Sequence, residues 1–319
     1  MLQTFLQAFG GTFVGVLDIF LIILVAGLLV RRRVVSQAHI DALSTATVVV
    51  FLPCLTFDSV VRNLDPSKLP YWWTLPLAAV AMAVAGLALG AALFARELPA
   101  KRNMLALASM QNAGYLVLPV GLALFPKEFD RFALYCFLFI LGNSLVLWSV
   151  GKFLATRGRS EMPMWRALLT PPLVANVAAI ALALSGVKAL VPEVLQRGVH
   201  LLGTAAVPVA TFILGAVLGS IPFRLRAILP DAARVVLVKL VLLPLLTTAV
   251  LAWTGLGRTN PLLASFFLIQ AAAAPAVAII LQVRRYGGDE EKIGGVMLIA
   301  YAGCLLALPF WLALWRVMS

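Results

Sequence analysis

Apolar residues form long, nearly uninterrupted runs along the chain, and polar residues gather in the short segments between the runs. A run of about 20 apolar residues is long enough to cross the hydrocarbon core of a bilayer as a helix. Ten such runs occur, and they predict an all-α integral membrane protein with ten transmembrane helices. The predicted spans are Thr12–Val30, Ile40–Val61, Tyr71–Phe94, Met104–Phe125, Phe132–Leu154, Leu168–Val187, Val194–Leu218, Ala232–Trp253, Leu262–Val283 and Ile293–Trp315.

The fourth run contains residues that an unbroken membrane helix would avoid. The amides Gln111 and Asn112 are followed by Gly114 and then by Pro119. Proline removes a backbone donor, whereas glycine weakens the helix and lets another backbone come close. Freed peptide groups inside a membrane are tolerated only where protein or a water-filled cavity satisfies them. The fourth span is therefore predicted to be broken, and the break is predicted to form a site.

The two halves of the chain share a short pattern at matching positions. Residues 53–57 and residues 208–212 both read Pro-x-x-Thr-Phe, and Pro275 interrupts the ninth span as Pro119 interrupts the fourth. The offsets between the halves are 155 and 156 residues. Because each half holds five spans, an odd number, the second half must be inverted relative to the first. We predict two inverted five-helix repeats, residues 1–157 and 168–319, joined by a cytoplasmic linker at residues 158–167.

Positive charge between the spans predicts the orientation of the chain. The loops after the odd-numbered spans hold sixteen Lys and Arg residues, and the opposite side holds eight. Since positive loops stay in the cytoplasm, both termini are predicted to be periplasmic or extracellular. The segment Met1 to Val30 has no basic residue, so we interpret it as the first span rather than a signal peptide.

Composition excludes several functional classes. The chain is 62% hydrophobic and 12% charged, and its mean hydropathy is +1.02. Its net charge of +12 comes from short basic clusters between apolar runs, which favours cytoplasmic loops over nucleic-acid binding. The three cysteines and two histidines lack metal-site spacing, and no P-loop or catalytic motif occurs. We therefore predict neither an enzyme nor a cofactor.

Few charged residues fall inside the predicted spans, and each is a functional candidate by default. Asp18 lies in the first span and Asp58 near the end of the second. Either could carry a coupling proton, although Asp18 could simply face water, and Asp58 could cap its helix or pair with Arg62. Lys239 lies in the eighth span, and we expect its side chain to extend to the headgroups.

The polar residues near the predicted breaks favour an anionic ligand. No cluster of carboxylates is expected at the midplane, whereas the N-termini of broken helices can bind a carboxylate. Asn112 could donate two side-chain hydrogen bonds, and Gln111 or Gln270 could add more. The alternative for Asn112 is a clamp between helices. Asn143 and Asn176 are weaker candidates and could serve structure alone.

Several motifs together resemble the auxin efflux carrier family, whose bacterial members include carriers assigned to malonate and related small acids. The matching segments are residues 52–55, Asn112 to Pro119, residues 170–173, Pro208 with residues 214–216, and Pro275-Ala276 with residues 285–289. The resemblance implies ten helices in a scaffold and a transport domain, crossing of spans 4 and 9 at their prolines, and elevator-like movement of an organic anion that faces Asn112. It also suggests a homodimer. The short mid-chain linker favours a compact bacterial carrier over a plant auxin carrier, and the resemblance thus implies a bacterial inner membrane.

We therefore predict a secondary transporter of a small carboxylate, malonate-like by resemblance. A proton is the expected coupling ion, and sodium is the alternative. Membrane lipids are expected to surround the protein. The alternatives are a carrier of auxin-like monocarboxylates, a channel or transporter-like sensor of the same ligands, and a sodium-coupled carrier of the bile acid type. The predicted substrate site consists of Pro53, Gln111, Asn112, Gly114, Tyr115, Pro119, Gln270, Ala274, Pro275 and Ala276.

Overall fold

The computed structural model of the 319-residue chain describes residues 2–156, 169–186, 191–221 and 228–318. The predicted linker at residues 158–167 lies outside the described residues. Four basic positions that were used to predict the orientation, and that are not part of this linker, also lie outside the described residues: Arg157, Lys188, Arg224 and Arg226.

The described residues form helices and contain no β-strand. In chain order the α-helices are α1 (Leu2–Arg31), α2 (Gln37–Ala46), α3 (Leu52–Asn63), α4 (Thr74–Leu93), α5 (Leu98–Ser109), α6 (Val117–Leu124), α7 (Phe129–Val146), α8 (Lys152–Ala155), α9 (Pro171–Leu184), α10 (Glu193–Thr204), α11 (Ala206–Gly219), α12 (Leu229–Val236), α13 (Leu243–Thr254), α14 (Leu256–Thr259), α15 (Pro261–Ala272), α16 (Ala278–Tyr286) and α17 (Glu290–Met318). Short 3-10 helices occupy Ala95–Glu97 and Pro126–Glu128. π-Helical segments at Thr47–Phe51, Leu147–Gly151 and Leu237–Leu242 join α2 to α3, α7 to α8 and α12 to α13.

Seven helical stretches of the described chain are long and apolar enough to cross a membrane. They are Leu2–Arg31, Gln37–Asn63, Thr74–Leu93, Pro126–Ala155, Glu193–Gly219, Leu229–Thr254 and Glu290–Met318. The other three predicted spans differ from them in structure. The fourth is divided into α5 and α6, the ninth is divided into α15 and α16, and the sixth contains the 14-residue α9.

Helix α1 packs along α11 and α17. Its contact with α11 is very close, because a Cβ added at Gly215 would lie 2.3 Å from the carbonyl oxygen of Ile23. A Cβ at Gly219 would lie 2.4 Å from the Cα of Gly27. Small residues spaced in this way let two membrane helices pack backbone against backbone. The packing joins the first span directly to the seventh.

Candidate functional site

The two breaks in the helices lie against each other. The residues between α5 and α6 pair with those between α15 and α16 through an isolated antiparallel bridge of Gln111 and Pro275. The backbone N–H of Asn112 donates to the carbonyl of Ala274 at 3.0 Å, and the N–H of Ala276 donates to the carbonyl of Met110 at 3.0 Å. Peptide groups that the breaks remove from the helices are thus satisfied by the opposite break, as an apolar environment requires.

The two prolines occupy different positions in their breaks. Pro119 is the third residue of α6 and lies in its first turn, where a helix tolerates proline best. Pro275 lies within the non-helical segment between α15 and α16. The break in the fourth span therefore begins at Met110, nine residues before the proline.

Gly114 does not have the role expected from the sequence. We expected it to admit a second backbone, but a Cβ added there would meet only Ile140 Cδ1, at 3.6 Å. The expectation of a close backbone contact is wrong, because the two breaks meet at Gln111 and Pro275 instead.

The side chain of Asn112 takes part in a short chain of hydrogen bonds that also connects the two breaks. Its Nδ2 donates to the hydroxyl of Tyr301 at 2.6 Å, and that hydroxyl donates to the carbonyl of Pro275 at 3.0 Å. Because the carbonyl can only accept, the hydroxyl must accept from Nδ2, which fixes the orientation of the amide. One of the two N–H donors of the Asn112 side chain is therefore already used within the protein.

Two further side chains, those of Gln270 and Cys136, hydrogen-bond to the break between α5 and α6. Gln270 donates Nε2 to the carbonyl of Ala113 at 3.5 Å, and the Cys136 thiol donates to the same carbonyl at 2.8 Å. In the second break, the Cys304 thiol donates to the carbonyl of Ala272 at 3.3 Å. These contacts hold carbonyl groups that the helices no longer use.

A cavity of about 180 Å³ lies beside the crossing. Its walls come from the two breaks and from α3, α6, α7, α9 and the π-helical segments that follow α2 and α7. Of the predicted site residues, it is lined by Gln111, Asn112, Gly114, Tyr115 and Ala276. The other predicted residues, Pro53, Pro119, Gln270, Ala274 and Pro275, are not part of its lining.

The cavity wall contains buried polar atoms without a hydrogen-bond partner among the described residues. Both Nε2 and Oε1 of Gln111 are unpartnered, and the residue is 0% exposed. Thr56 Oγ1, Asn143 Oδ1 and Asn176 Oδ1 are also buried and unpartnered. A buried polar group left unpaired costs free energy, so a concentration of such groups indicates a site that binds a polar ligand.

Only some of these residues could be predicted from the sequence. Asn143 and Asn176 were weak candidates, and Thr56 entered only as part of the repeated pattern. Tyr301 was missed altogether, because a tyrosine in an apolar span carries no sign of a partner 189 residues away. The signal in the sequence that could have indicated the polar lining of the cavity was the presence of a polar residue inside each of several spans.

The carboxylates expected to carry a coupling proton lie away from the cavity lining. Asp58 pairs with Arg62 at 2.5 Å and contacts His200 Nδ1 at 2.8 Å. Asp18 is exposed on the surface of α1.

Lys239 does not extend to the surface as expected. It is 0% exposed, and its Nζ has no partner among the described residues. The expectation of a side chain reaching the headgroups is wrong, because neighbouring helices cover the π-helical segment that carries this residue.

An ionic cluster ties three helices together at one end of the molecule. Asp231 on α12 is 2% exposed and accepts from Lys101 of α5, at 2.6 Å, and from Lys292 of α17, at 2.8 Å. The hydrogen bond to Asp231 raises the pKa of Lys101, which therefore stays charged at neutral pH. The cluster connects predicted spans 4, 8 and 10.

Comparison with known proteins identifies the family. A family model described as a membrane transport protein matches residues 12–312. The chain belongs to this membrane transport protein family. The resemblance to auxin efflux carriers is thereby confirmed, and the chain is a multi-pass membrane protein of a transporter family.

A curated relative gives the same broad result. An uncharacterised transporter of Methanocaldococcus jannaschii is 22% identical over 190 residues, which are 57% of this chain and 61% of the relative. The chain thus matches about three fifths of that relative's length. The relative supports transport as the general activity of the family.

Proposed function

We propose that this chain is a secondary transporter that moves a small organic anion, a malonate-like dicarboxylate, across the bacterial inner membrane by alternating access. Its ten spans form two inverted repeats, residues 1–157 and 168–319, joined by a cytoplasmic linker at residues 158–167, with both termini periplasmic. The crossing of spans 4 and 9 moves as part of a transport domain against a scaffold, in the manner of an elevator. Transport is coupled to protons, and the carrier is a homodimer in the membrane.

The observation that carries the proposal is Gln111. This fully buried amide, whose two polar atoms have no partner among the described residues, lies at the meeting point of two broken helices and lines a cavity. Leaving such a group unpaired costs about 1–3 kcal/mol, which a ligand of matching polarity would recover. Broken helices that cross beside a polar cavity are the arrangement in which transporters bind their substrates.

The charge of the lining favours an anion over a cation. The described residues that line the cavity include no Asp or Glu, so they offer no carboxylate to hold a cation. Helices α6 and α16 both begin at the cavity, and the N-terminus of a helix carries a partial positive charge. A volume of about 180 Å³ suits a molecule of only a few heavy atoms, as a short dicarboxylate is.

Uptake into proteoliposomes tests the substrate class. Labelled malonate, other short dicarboxylates and indole acetate are compared, each with and without a proton gradient and with sodium replaced. We expect uptake of the dicarboxylates, dependence on the proton gradient, and no dependence on sodium. Preference for indole acetate would favour an auxin-like carrier, and a strict need for sodium would favour a carrier of the bile acid type.

Counterflow separates a carrier from a channel or a sensor. Vesicles preloaded with unlabelled substrate should accelerate the entry of labelled substrate, because a carrier returns loaded. Binding without accelerated exchange would contradict the proposed cycle.

Replacing Gln111 by leucine tests the observation on which the proposal rests. Gln111→Leu keeps the approximate size of the side chain and removes both polar atoms. We expect uptake to fall about tenfold or more, since a hydrogen bond to a charged ligand contributes about 1.5–3 kcal/mol. The thermal stability should be unchanged or higher, because the protein loses no internal hydrogen bond.

Gln282→Leu is the matched control for this substitution. Gln282 is also a buried glutamine, but it donates Nε2 to the carbonyl of Leu147 at 3.3 Å and does not line the cavity. Its replacement should lower stability and leave the apparent affinity for substrate unchanged. Equal uptake by Gln111→Leu and the unmodified protein would remove the crossing as the binding site.

A further inference from the structure

Asn176 presents a hydrogen-bond acceptor whose identity is fixed. This residue of α9 lines the cavity, is 1% exposed, and donates Nδ2 to the carbonyl of Phe137 at 2.6 Å. Because a carbonyl cannot donate, the amide cannot be turned the other way, and Oδ1 is the atom left over. Oδ1 has no partner among the described residues. This part of the wall therefore requires a ligand that donates a hydrogen bond.

Two more unpartnered oxygens accompany Asn176 on the walls formed by α3 and α7. They are Thr56 Oγ1 and Asn143 Oδ1, both on buried residues that line the cavity. The hydroxyl of Thr56 can donate or accept. Gln111 offers a donor at the crossing, where the partly positive N-termini of α6 and α16 also lie, and the lining residues Tyr115, Ser144, Trp148 and Thr170 carry donor groups as well. The cavity thus offers donors at the crossing and a fixed acceptor on α9.

Among the described residues, the cavity lining provides no group that could exchange a proton at neutral pH. Tyr115 is the only titratable residue of this described lining, and a tyrosine hydroxyl is neutral in this range. The helices that form the walls carry other titratable residues outside the lining, namely Cys54, Asp58 and Arg62 on α3, Asp130, Arg131, Tyr135 and Cys136 on α7, and Arg284, Arg285 and Tyr286 on α16. Helices α6 and α9 have no charged residue within their bounds.

A fully ionised dicarboxylate does not match this arrangement. Its two carboxylates are acceptors only, so one of them would face Asn176 Oδ1 without a proton between the two oxygens. Two acceptors placed together in a buried site repel each other and leave both unsatisfied. A carboxyl group that keeps its proton supplies the missing donor.

We propose that the cavity takes the monoprotonated form of a short dicarboxylic acid, with the ionised carboxylate at the crossing and the protonated carboxyl group donating to Asn176 Oδ1. The inference rests on the proposed function. The coupled proton then travels on the substrate. Water supplies it when the second carboxylate is protonated on one side of the membrane, and the acid returns it to water on the other side. No protein side chain has to change its protonation state, and this route competes with one through Asp58 or Asp18.

Two monoanions of similar size test the donor directly. Malonamate carries one carboxylate and an amide N–H₂ that can donate, whereas monomethyl malonate carries one carboxylate and an ester that cannot. Both are measured as competitors of labelled dicarboxylate uptake by the full-length protein in proteoliposomes. We expect malonamate to compete at least tenfold more strongly than monomethyl malonate. This ratio between the two competitors should not change between pH 6 and pH 8. The apparent affinity for malonate should rise as the pH falls, because the monoprotonated form becomes more abundant.

The outcomes distinguish this inference from the proposed function. Equal competition by the ester and the amide, or an apparent affinity for malonate that does not change with pH, would overturn the inference and leave the transporter in place. Loss of the pH dependence in Asp58→Asn or Asp18→Asn would assign the proton to the protein and also overturn it. Absence of uptake for every short dicarboxylate would overturn both.

Substitutions locate the effect in the protein. Asn176→Leu should bring the preference for amide over ester to within about twofold. Because this change also removes the bond to Phe137, the ligand series on the unmodified protein decides the question if the variant does not fold. Thr56→Val removes an unpartnered hydroxyl and should reduce the same preference while the fold is kept. Its control is Thr211→Val, at the repeat-related position, where the hydroxyl donates to the carbonyl of Val207 at 2.8 Å outside the cavity lining.

Discussion

Lys239 is a residue with a charged side chain in a fully buried environment. An ammonium group removed from water costs several kcal/mol unless a partner compensates it. Here the side chain is 0% exposed, and Nζ has no partner among the described residues. The sequence around it, an apolar run near one end of a predicted span, is typical of a lysine that reaches the headgroups. Local sequence cannot say which face of a helix is covered by helices from elsewhere in the chain.

Replacing this lysine by an apolar side chain of similar length should stabilise the protein. We expect Lys239→Met to raise the free energy of unfolding by about 1 kcal/mol or more, because the cost of burying the amine disappears. The measurement is the melting temperature of the purified protein in detergent. Lys68→Met is the control, since Lys68 has a side chain that is 84% exposed and should change stability by no more than about 0.5 kcal/mol. A lower melting temperature for Lys239→Met would show that the amine has a stabilising partner.

At the scale of the helices, the breaks were predictable and their connections were not. Glycine, proline and paired amides inside an apolar run indicate a break for local reasons, and the structure places non-helical segments after Ser109 and after Ala272. The matching prolines also related the two breaks. The side chains that support them, such as Tyr301 and Cys136, come from distant helices and have no periodic signal of their own. The same reasoning applies to Asn176, whose amide orientation is set by the carbonyl of Phe137, 39 residues away.

Two glycines near the first break should respond differently to the same substitution. A Cβ at Gly86 of α4 would lie 2.7 Å from Ser109 Cα and 3.0 Å from the carbonyl oxygen of Ala108, so the end of α5 must shift. A Cβ at Gly114 would make only an ordinary contact, at 3.6 Å from Ile140 Cδ1. We expect Gly86→Ala to cost about 1–3 kcal/mol through overpacking and Gly114→Ala to leave the melting temperature nearly unchanged.

Uptake measurements extend this comparison to the cavity. Gly114 lines the cavity, so its added methyl group should reduce transport of the longest accepted dicarboxylate more than transport of the shortest. The two variants would contradict the packing described for the break if they lowered the melting temperature equally.

At the scale of the molecule, the cluster around Asp231 bears on which helices move together. The carboxylate joins α5, α12 and α17, which come from both halves of the chain, and Arg234 of α12 adds a contact to Glu97 beside α5 at 2.7 Å. The proposed elevator requires these helices to move as one body with the crossing. A nearly buried carboxylate shared by two ammonium groups is a suitable connection, because its hydrogen bonds are charge-assisted and specific in direction.

Asp231→Asn should therefore weaken the connection between these helices without touching the cavity. An amide keeps the size of the side chain but cannot neutralise Lys101 and Lys292, which would then face each other. Each lysine side chain is 23% exposed, so water lowers the penalty, and we expect a loss of about 1–2 kcal/mol in the free energy of unfolding. Thermal unfolding in detergent measures this loss, with the exposed Asp41→Asn as the control that should change little. If the three helices move as one body, Asp231→Asn also slows counterflow while the apparent affinity for substrate stays the same. A weaker affinity at an unchanged exchange rate would mean that the cluster affects the geometry of the binding site and does not hold the moving helices together.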